Sequence, residues 1–212
     1  MEKIVVLKND WNPALITLSE ISEKFYFSDK QSIGFTPWKK FPYKPAASFS
    51  IAHSSDCIYL KYFVSEKEIR YVNREINSPV YEDSCVEFFI QFDSKGYYNL
   101  EFNCAGTILV GFGKNKSKRN LLSPELIGLI KCKAKLKELT SPRSFYWELT
   151  IVIPIQLFIH HDLKTFEGIR ARANFYKCGD LLPDPHFLAW SCIESETPNF
   201  HLPEFFGELQ FE

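Results

Sequence analysis

The stretch 85-CVEFFIQFDSKGYYNLEFNC-104 contains the clearest strand pattern in the chain. Apolar residues alternate in both halves, around the turn signal Asp93-Ser-Lys-Gly. The two apolar sets are Val86, Phe88, Ile90 and Phe92, and Tyr98, Leu100, Phe102 and Cys104. Because a slip of one residue would turn one set towards water, burial should bring both sets to the same face. We therefore expect a hairpin in which Phe92 lies opposite Tyr98 across a five-residue loop.

This pairing would give the hairpin a polar second face. On that face Glu87 would lie beside Asn103, Phe89 beside Glu101, and Gln91 beside Asn99. The predicted strand Ile169–Cys178 adds a similar alternating row, made of Arg170, Arg172, Asn174 and Tyr176. Planar amide, carboxylate and guanidinium groups can bind sugar hydroxyls, and an aromatic ring can stack on a pyranose. The competing interpretation is an ordinary solvated sheet face with salt bridges.

Short strand-like segments continue along the rest of the chain, separated by turns and by a long proline-containing loop over residues 28–47. The helical signals are a short segment near Ser19–Phe25 and a single turn at Ile155–Phe158. The strand Ile130–Lys137 alternates apolar residues with lysine, which is typical of a half-buried strand. No repeat or linker divides the sequence. We predict an all-β fold, an antiparallel β-sandwich of about ten to twelve strands, formed by one domain over residues 1–212. The other segments expected to form strands are Lys3–Leu7, Ser48–His53, Ile58–Val64, Thr107–Phe112, Phe145–Ile153, Phe187–Ser191 and Glu208–Phe211.

The composition excludes several classes of protein. The 212 residues are 45% hydrophobic and 24% charged, which excludes a disordered or collagen-like chain. The formal net charge of -1 predicts neither a nucleic-acid partner nor a membrane partner. Six cysteines occur without a Cys-x-x-Cys motif, so a reducing compartment is the simplest account, although disulfides stay possible. No signal peptide opens the chain, so we expect a cytoplasmic protein unless a leader has been removed.

Five segments together resemble the family 9 carbohydrate-binding modules and their DOMON-like relatives. These segments are 57-CIYLKYFV-64, 79-PVYEDSCVEFFIQF-92, 97-YYNLEFNCAG-106, 146-YWELTIVIP-154 and 205-FFGELQF-211. The resemblance spans most of residues 48–212. It implies a β-sandwich that holds a sugar, often at a chain end, between two aromatic rings.

The resemblance also assigns roles to individual residues. Tyr81 stands near the tryptophan of the family's aromatic clamp, and Trp190 is the best match to its second ring. Glu87 matches a glutamate that binds sugar hydroxyls, and Asn103 matches an asparagine before a glycine. Glu101 stands where some members carry a basic residue. The chain departs from the family pattern in having Tyr rather than Trp at 81, and in a spacing to Glu87 that is one residue longer.

We therefore predict a non-catalytic module that binds a carbohydrate ligand and is linked to carbohydrate catabolism. Its expected site residues are Tyr81, Glu87, Glu101, Asn103, Arg172, Asn174, Tyr176 and Trp190. The oligomeric state is not predicted, and neither a catalytic residue nor a metal ligand is expected.

Three alternatives stay open. A glycoside-acting enzyme could draw a carboxylate pair from Glu82, Asp83, Glu87 and Glu101. A protein-interaction sandwich would instead expose an aromatic patch around Trp38. Calcium is a possible cofactor, because Glu82, Asp83 and Asp93 offer hard oxygen ligands, although no ligand-loop spacing supports it.

Overall fold

The protein is a two-layer β-sandwich in a computed structural model that describes residues 2–12 and 14–212. Thirteen strands make up 44% of the chain. In chain order they are β1 Lys3–Lys8, β2 Gln31–Ser32, β3 Ala46–His53, β4 Cys57–Glu66, β5 Cys85–Asp93, β6 Gly96–Asn103, β7 Ile108–Gly113, β8 Arg119–Leu121, β9 Lys131–Thr140, β10 Arg143–Pro154, β11 Arg170–Cys178, β12 Phe187–Ala189 and β13 Gly207–Phe211. The predicted all-β sandwich is confirmed, with slightly more strands than expected because β2 and β8 are short pieces inside segments interpreted as loops.

The helical segments are short. Helix α1 spans Leu18–Lys24 and helix α2 spans Pro124–Ile127. Helix α1 begins at a capping box, in which the Thr17 side chain accepts from the backbone N–H of Glu20 while the Glu20 carboxylate accepts from the backbone of Thr17. Single 3-10 turns follow at Phe25–Phe27, Val80–Glu82, Ile155–Leu157 and Pro203–Phe205. Among the described residues, no helix has the length and apolar character needed to span a membrane.

The strands form one continuous path in the order β8-β7-β6-β5-β11-β13-β1-β3-β4-β10-β9. Strand β1 joins the two layers, because Lys3–Val6 pairs in parallel with β13 and Leu7–Lys8 pairs in parallel with β3. We call the layer from β8 to β13, with β12 on the edge of β11, the front sheet. The layer formed by β3, β4, β10, β9 and β2 is the back sheet.

Aromatic rings fill the space between the sheets. Phe49 of the back sheet stacks on Phe175 of the front sheet, with 3.6 Å between the ring centroids, and Phe175 also stacks with Phe88. In β10, alternate residues face the core and are buried: Trp147, Leu149, Ile151 and Ile153. Burial of this many apolar side chains is the main contribution to the stability of such a domain.

The β5–β6 hairpin has the predicted faces but a different register. Ile90, rather than Phe92, lies opposite Tyr98, and Glu87 lies opposite Glu101. The strands are joined by the short Asp93–Gly96 turn, and a bulge between Ile90 and Asp93 takes up the difference. The pairing is therefore shifted by two residues, which preserves the division into faces because side chains alternate with period two.

Strand β9 is more exposed than its alternation indicates. It forms the edge of the back sheet, and Ala134 and Leu136 are exposed although they share a face with the half-buried Cys132. The expectation of a half-buried strand is therefore wrong over most of its length. The alternate lysines still protect this edge from pairing with another chain.

Candidate functional site

A pocket opens on the outer face of the front sheet, away from the sandwich core. Its volume is about 310 Å³, within the usual range for small-ligand sites. Strands β5, β6 and β11 form its floor, and the walls come from the turn before β5 and from the loops around residues 180 and 200. The lining side chains are Tyr81, Glu87, Asn99, Glu101, Leu109, Lys116, Arg119, Leu121, Cys178, Asp180, Phe187, Pro198, Asn199, Phe200 and His201.

Two buried carboxylates lie side by side on the pocket floor. Glu87 and Glu101 are cross-strand partners, and their exposed fractions are only 3% and 4%. Burial raises the pKa of Glu101 to about 7 and raises the pKa of Glu87 well above its ordinary value. Asp180, on the pocket wall, has its pKa raised to about 6, again mainly by burial. Because burial favours the protonated form of these groups, the floor can donate as well as accept hydrogen bonds with a ligand, and its acids release protons when they bind a cation.

Arg119 holds two side chains of the pocket floor, Asn99 and Glu101, in place. Its Nε donates to Asn99 Oδ1 at 2.8 Å, and Asn99 Nδ2 in turn donates to Glu101 Oε1 at 2.9 Å. The guanidinium also donates to the carbonyl of Tyr97 and lies over the Tyr97 ring, 4.3 Å from its centroid. This relay satisfies Oε1 of Glu101, whereas Oε2 has no hydrogen-bond partner among the described residues.

The walls are apolar and partly aromatic. The Tyr81 ring stands on the 3-10 turn before β5 and is 40% exposed. Phe187 is half-buried, while Phe200 is buried and stacks on Tyr176 with 4.0 Å between centroids. His201 accepts or donates a hydrogen bond with the Tyr97 hydroxyl at 3.0 Å, and burial lowers its pKa to about 3, so it is neutral. Aromatic rings of this kind can stack on the apolar face of a ligand.

The structure brings three of the eight expected site residues into this pocket: Tyr81, Glu87 and Glu101. Arg172 lies on the same sheet face but lines a second cavity, and its Nη2 donates to the carbonyls of Glu204 and Phe206. Its expected sugar contact is therefore not supported, because the guanidinium anchors the turn before β13.

The other four expected residues are buried and have partners within the chain. Asn174 exchanges hydrogen bonds with the backbone of Ser191, and the Tyr176 hydroxyl donates to the carbonyl of Phe200. Asn103 donates to Asp83 Oδ2. The expected sugar contacts of these three residues must therefore be corrected. The segment 191–206 covers Asn174 and Tyr176 on the outer face of β11, and Asn103 is bound to Asp83 outside the pocket.

Trp190 requires the largest correction. The ring is 3% exposed and lies in the core, edge-on to Phe49 and to Phe175. Neither face of the indole reaches the pocket, so Trp190 is not available to stack on a ligand. The aromatic surface of the pocket comes instead from Tyr81, Phe187 and Phe200.

The residues considered for calcium are dispersed or already paired. Asp83 is buried, accepts from the backbone N–H of Asn73 and forms an ion pair with Arg70. Asp93 pairs with Lys95 and His161. Glu82, Asp83 and Asp93 do not form a cluster in the part of the chain that the structure describes.

Comparison with known proteins assigns the family. The model of carbohydrate-binding family 9 matches residues 21–211, and the chain belongs to this family. A crystal structure from Bacteroides uniformis, named as a proposed carbohydrate-binding protein, is 38% identical, with 100% of this chain and 99% of that chain covered and a TM-score of 0.90. None of the curated proteins matches the chain.

Two solved family 9 modules from Caldicellulosiruptor kristjanssonii share the fold at low identity. The module in complex with glucose is 14% identical, with a TM-score of 0.66 and coverage of 100% of this chain and 96% of that chain. The module in complex with cellotriose is 13% identical, with a TM-score of 0.60 and coverage of 100% and 94%. The resemblance expected from the sequence segments is thus confirmed at the level of family and fold.

Proposed function

We propose that the chain acts as a single non-catalytic module that binds a glucose-type sugar, free or at an oligosaccharide end, in the front-sheet pocket. The observation that carries this proposal is that buried Glu101 lines the pocket together with the exposed Tyr81 ring, and that its Oε2 has no hydrogen-bond partner among the described residues. Membership of carbohydrate-binding family 9 supports it, as do the related modules that hold glucose and cellotriose.

The pocket supplies both parts of sugar recognition. The Glu101 carboxyl group hydrogen-bonds a ligand hydroxyl, and Arg119 and Asn99 keep that group in place. The apolar face of the pyranose packs on Tyr81, with Phe187 and Phe200 enclosing the other side. A site this open usually binds with a dissociation constant of about micromolar to millimolar. Calorimetric titration with glucose, cellotriose and a panel of other sugars tests the proposal, and the absence of binding to all of them would contradict it.

Removing the Tyr81 ring should weaken sugar binding without affecting folding. Stacking contributes about 0.5–1.5 kcal/mol beyond burial, so Tyr81→Ala should raise the dissociation constant roughly 2- to 12-fold. Tyr71→Ala is a matched control, because that ring is similarly exposed but lines a different cavity. Equal affinities for the two variants would show that Tyr81 does not contact the sugar.

Neutralising Glu101 should weaken binding through the hydrogen bond to the ligand. A hydrogen bond to a charged group contributes about 1.5–3 kcal/mol, whereas a hydrogen bond between neutral groups contributes about 0.5–1.5 kcal/mol. The difference between the two corresponds to a loss of about 5- to 10-fold in sugar affinity for Glu101→Gln. Glu138→Gln, on the exposed strand β9, is the control. The titrations are made with a metal chelator present. An unchanged sugar affinity in Glu101→Gln would show that Glu101 does not bind the sugar.

We also infer that the paired carboxylates on the floor bind rather than catalyse. Modules of this family are non-catalytic binding domains. Incubation of the purified protein with cello-oligosaccharides and aryl glucosides should give no reducing sugar or aglycone. Turnover that is abolished by Glu87→Gln would favour the glycoside-acting alternative.

A further inference from the structure

Two thiols and a carboxylate converge where the pocket floor meets the Tyr81 turn. Cys85 of β5 and Cys178 of β11 are directly paired across the strands, and Glu87 follows Cys85 on the same face. The two sulfur atoms and a Glu87 carboxylate oxygen all lie within 4.8 Å of one another, and Cys178 Sγ is 3.1 Å from Glu87 Oε1. All three residues are buried. We call these three residues the thiol cluster.

Among the described residues, no lysine or arginine forms an ion pair with the thiol cluster. Within the described chain, the side chain of Glu87 is hydrogen-bonded by the Cys178 thiol, which is a weak donor. Lys177 is adjacent in sequence, but its ammonium group points to the opposite side of the sheet and pairs with Glu66. Burial without a paired cation favours the protonated form of Glu87, and a metal ion is a partner that would hold it ionised. Glu101, directly across from Glu87, has an Oε2 atom with no hydrogen-bond partner among the described residues.

We propose that Cys85, Cys178 and Glu87 bind a divalent metal ion of the zinc class. In tetrahedral zinc sites the metal lies about 2.3 Å from sulfur and about 2.0 Å from oxygen, which places the ligand atoms about 3.5–3.8 Å apart. The ligand atoms of the thiol cluster lie within 4.8 Å of one another, so side-chain shifts of about 1 Å or less would bring them to this spacing. The three ligands leave a fourth position for water, and because Cys178 and Glu87 line the pocket, the ion can reach the cluster from there.

The ligand types decide the class of metal. Thiolates favour zinc and similar ions over calcium and magnesium, which prefer all-oxygen sites. Binding releases the two thiol protons to solvent, together with the Glu87 proton where that group is protonated, and involves no redox change. The ion then carries a charge of +2 against two thiolates and one carboxylate. The inference does not depend on the proposed sugar ligand.

Cobalt and zinc are the probes for this site, used with the full chain under reducing conditions. One equivalent of Co²⁺ should give a thiolate-to-cobalt charge-transfer band and the intense visible absorption of tetrahedral cobalt, and Zn²⁺ should abolish both. Cys178→Ser should lose the band and about 100-fold or more in Zn²⁺ affinity, measured by competition with a chromophoric chelator, since a thiolate ligand is lost. Cys192→Ser is the matched control, because Cys192 is exposed and outside the thiol cluster.

Cys178→Ser is a buried substitution and could affect folding, so two further measurements test the metal site. Glu87→Gln should retain the charge-transfer band but bind Zn²⁺ more weakly. Zn²⁺ should raise the denaturant midpoint of unfolding in the unsubstituted protein and in Cys192→Ser, but not in Cys178→Ser, because binding to the folded state stabilises it. The proposal is overturned if Co²⁺ gives no thiolate band, or if the Cys178→Ser and Cys192→Ser variants bind Zn²⁺ equally. Sugar titrations with a chelator present report on the proposed function separately.

Discussion

Replacing Trp190 with alanine should lower the free energy of unfolding by about 3–5 kcal/mol, the usual cost of removing a large aromatic side chain from a core. The ring lies between the two sheets, edge-on to Phe49 and Phe175 at centroid distances of 6.1 and 5.6 Å. Denaturant unfolding followed by circular dichroism measures this loss. The expected effect on sugar affinity is small, provided that the measurement is made where the variant is still folded.

Gly207 provides an independent test of the same packing. A Cβ atom at this position would lie 2.5 Å from Trp190 Cζ3 and 2.7 Å from the carbonyl oxygen of Glu2, so the absence of a side chain makes room for the indole. Gly207→Ala should therefore also be destabilising. If Trp190→Ala instead left stability unchanged and abolished sugar binding, the ring would have to lie in the pocket, as the family resemblance implies.

The faces of the strands could be predicted from the sequence because polar and apolar residues alternate clearly in β5, β6 and β10. The orientation of Trp190 could not be predicted in this way. Its strand reads Phe187, Leu188, Ala189, Trp190, so both faces are apolar and alternation does not distinguish them. In the structure Leu188 and Trp190 point inwards, while Phe187 lines the pocket.

The polar row of β11 was correctly assigned to the outer face, but the outer face is not free. Arg172, Asn174 and Tyr176 each bind the backbone of the segment 191–206, which lies over them. A strand pattern shows which side chains point away from the core. It does not show whether water, a ligand or another part of the chain contacts them. Only tertiary structure distinguishes these cases.

Arg119 and the thiol cluster were missed for different reasons. Arg119 ends the basic run Lys114–Arg119, a charge pattern typical of a solvated loop, yet its guanidinium is directed into the pocket floor. Cys85 and Cys178 are far apart in the sequence, so no metal-binding spacing could indicate their contact. The pairing of β5 with β11 creates it.

A buried ion pair links the two sheets directly behind the thiol cluster. Lys177 Nζ of the front sheet lies 3.0 Å from Glu66 Oε2 of the back sheet, and both side chains are fully buried. Lys177 also donates to His186 Nε2 at 2.8 Å, while Trp147 Nε1 donates to the other oxygen of Glu66. Burial and the nearby ammonium group lower the pKa of His186 to about 3, so the histidine is neutral and accepts from Lys177. Removing one partner would leave a charge without compensation between the sheets.

Lys177→Ala should therefore destabilise the protein by about 3–5 kcal/mol, the range observed when a buried ion pair loses one member. Lys3→Ala is the matched control on the same sheet, because the Lys3–Glu208 pair is more than half exposed and should contribute about 1 kcal/mol or less. The double variant Lys177→Met with Glu66→Leu should recover part of the loss, since an apolar pair of similar size leaves no buried charge, although Trp147 Nε1 and His186 Nε2 lose their partners. Denaturant unfolding of the four proteins measures these differences. A Lys177→Ala variant as stable as Lys3→Ala would show that water or a rearranged side chain compensates Glu66, and that the sheets do not depend on this link.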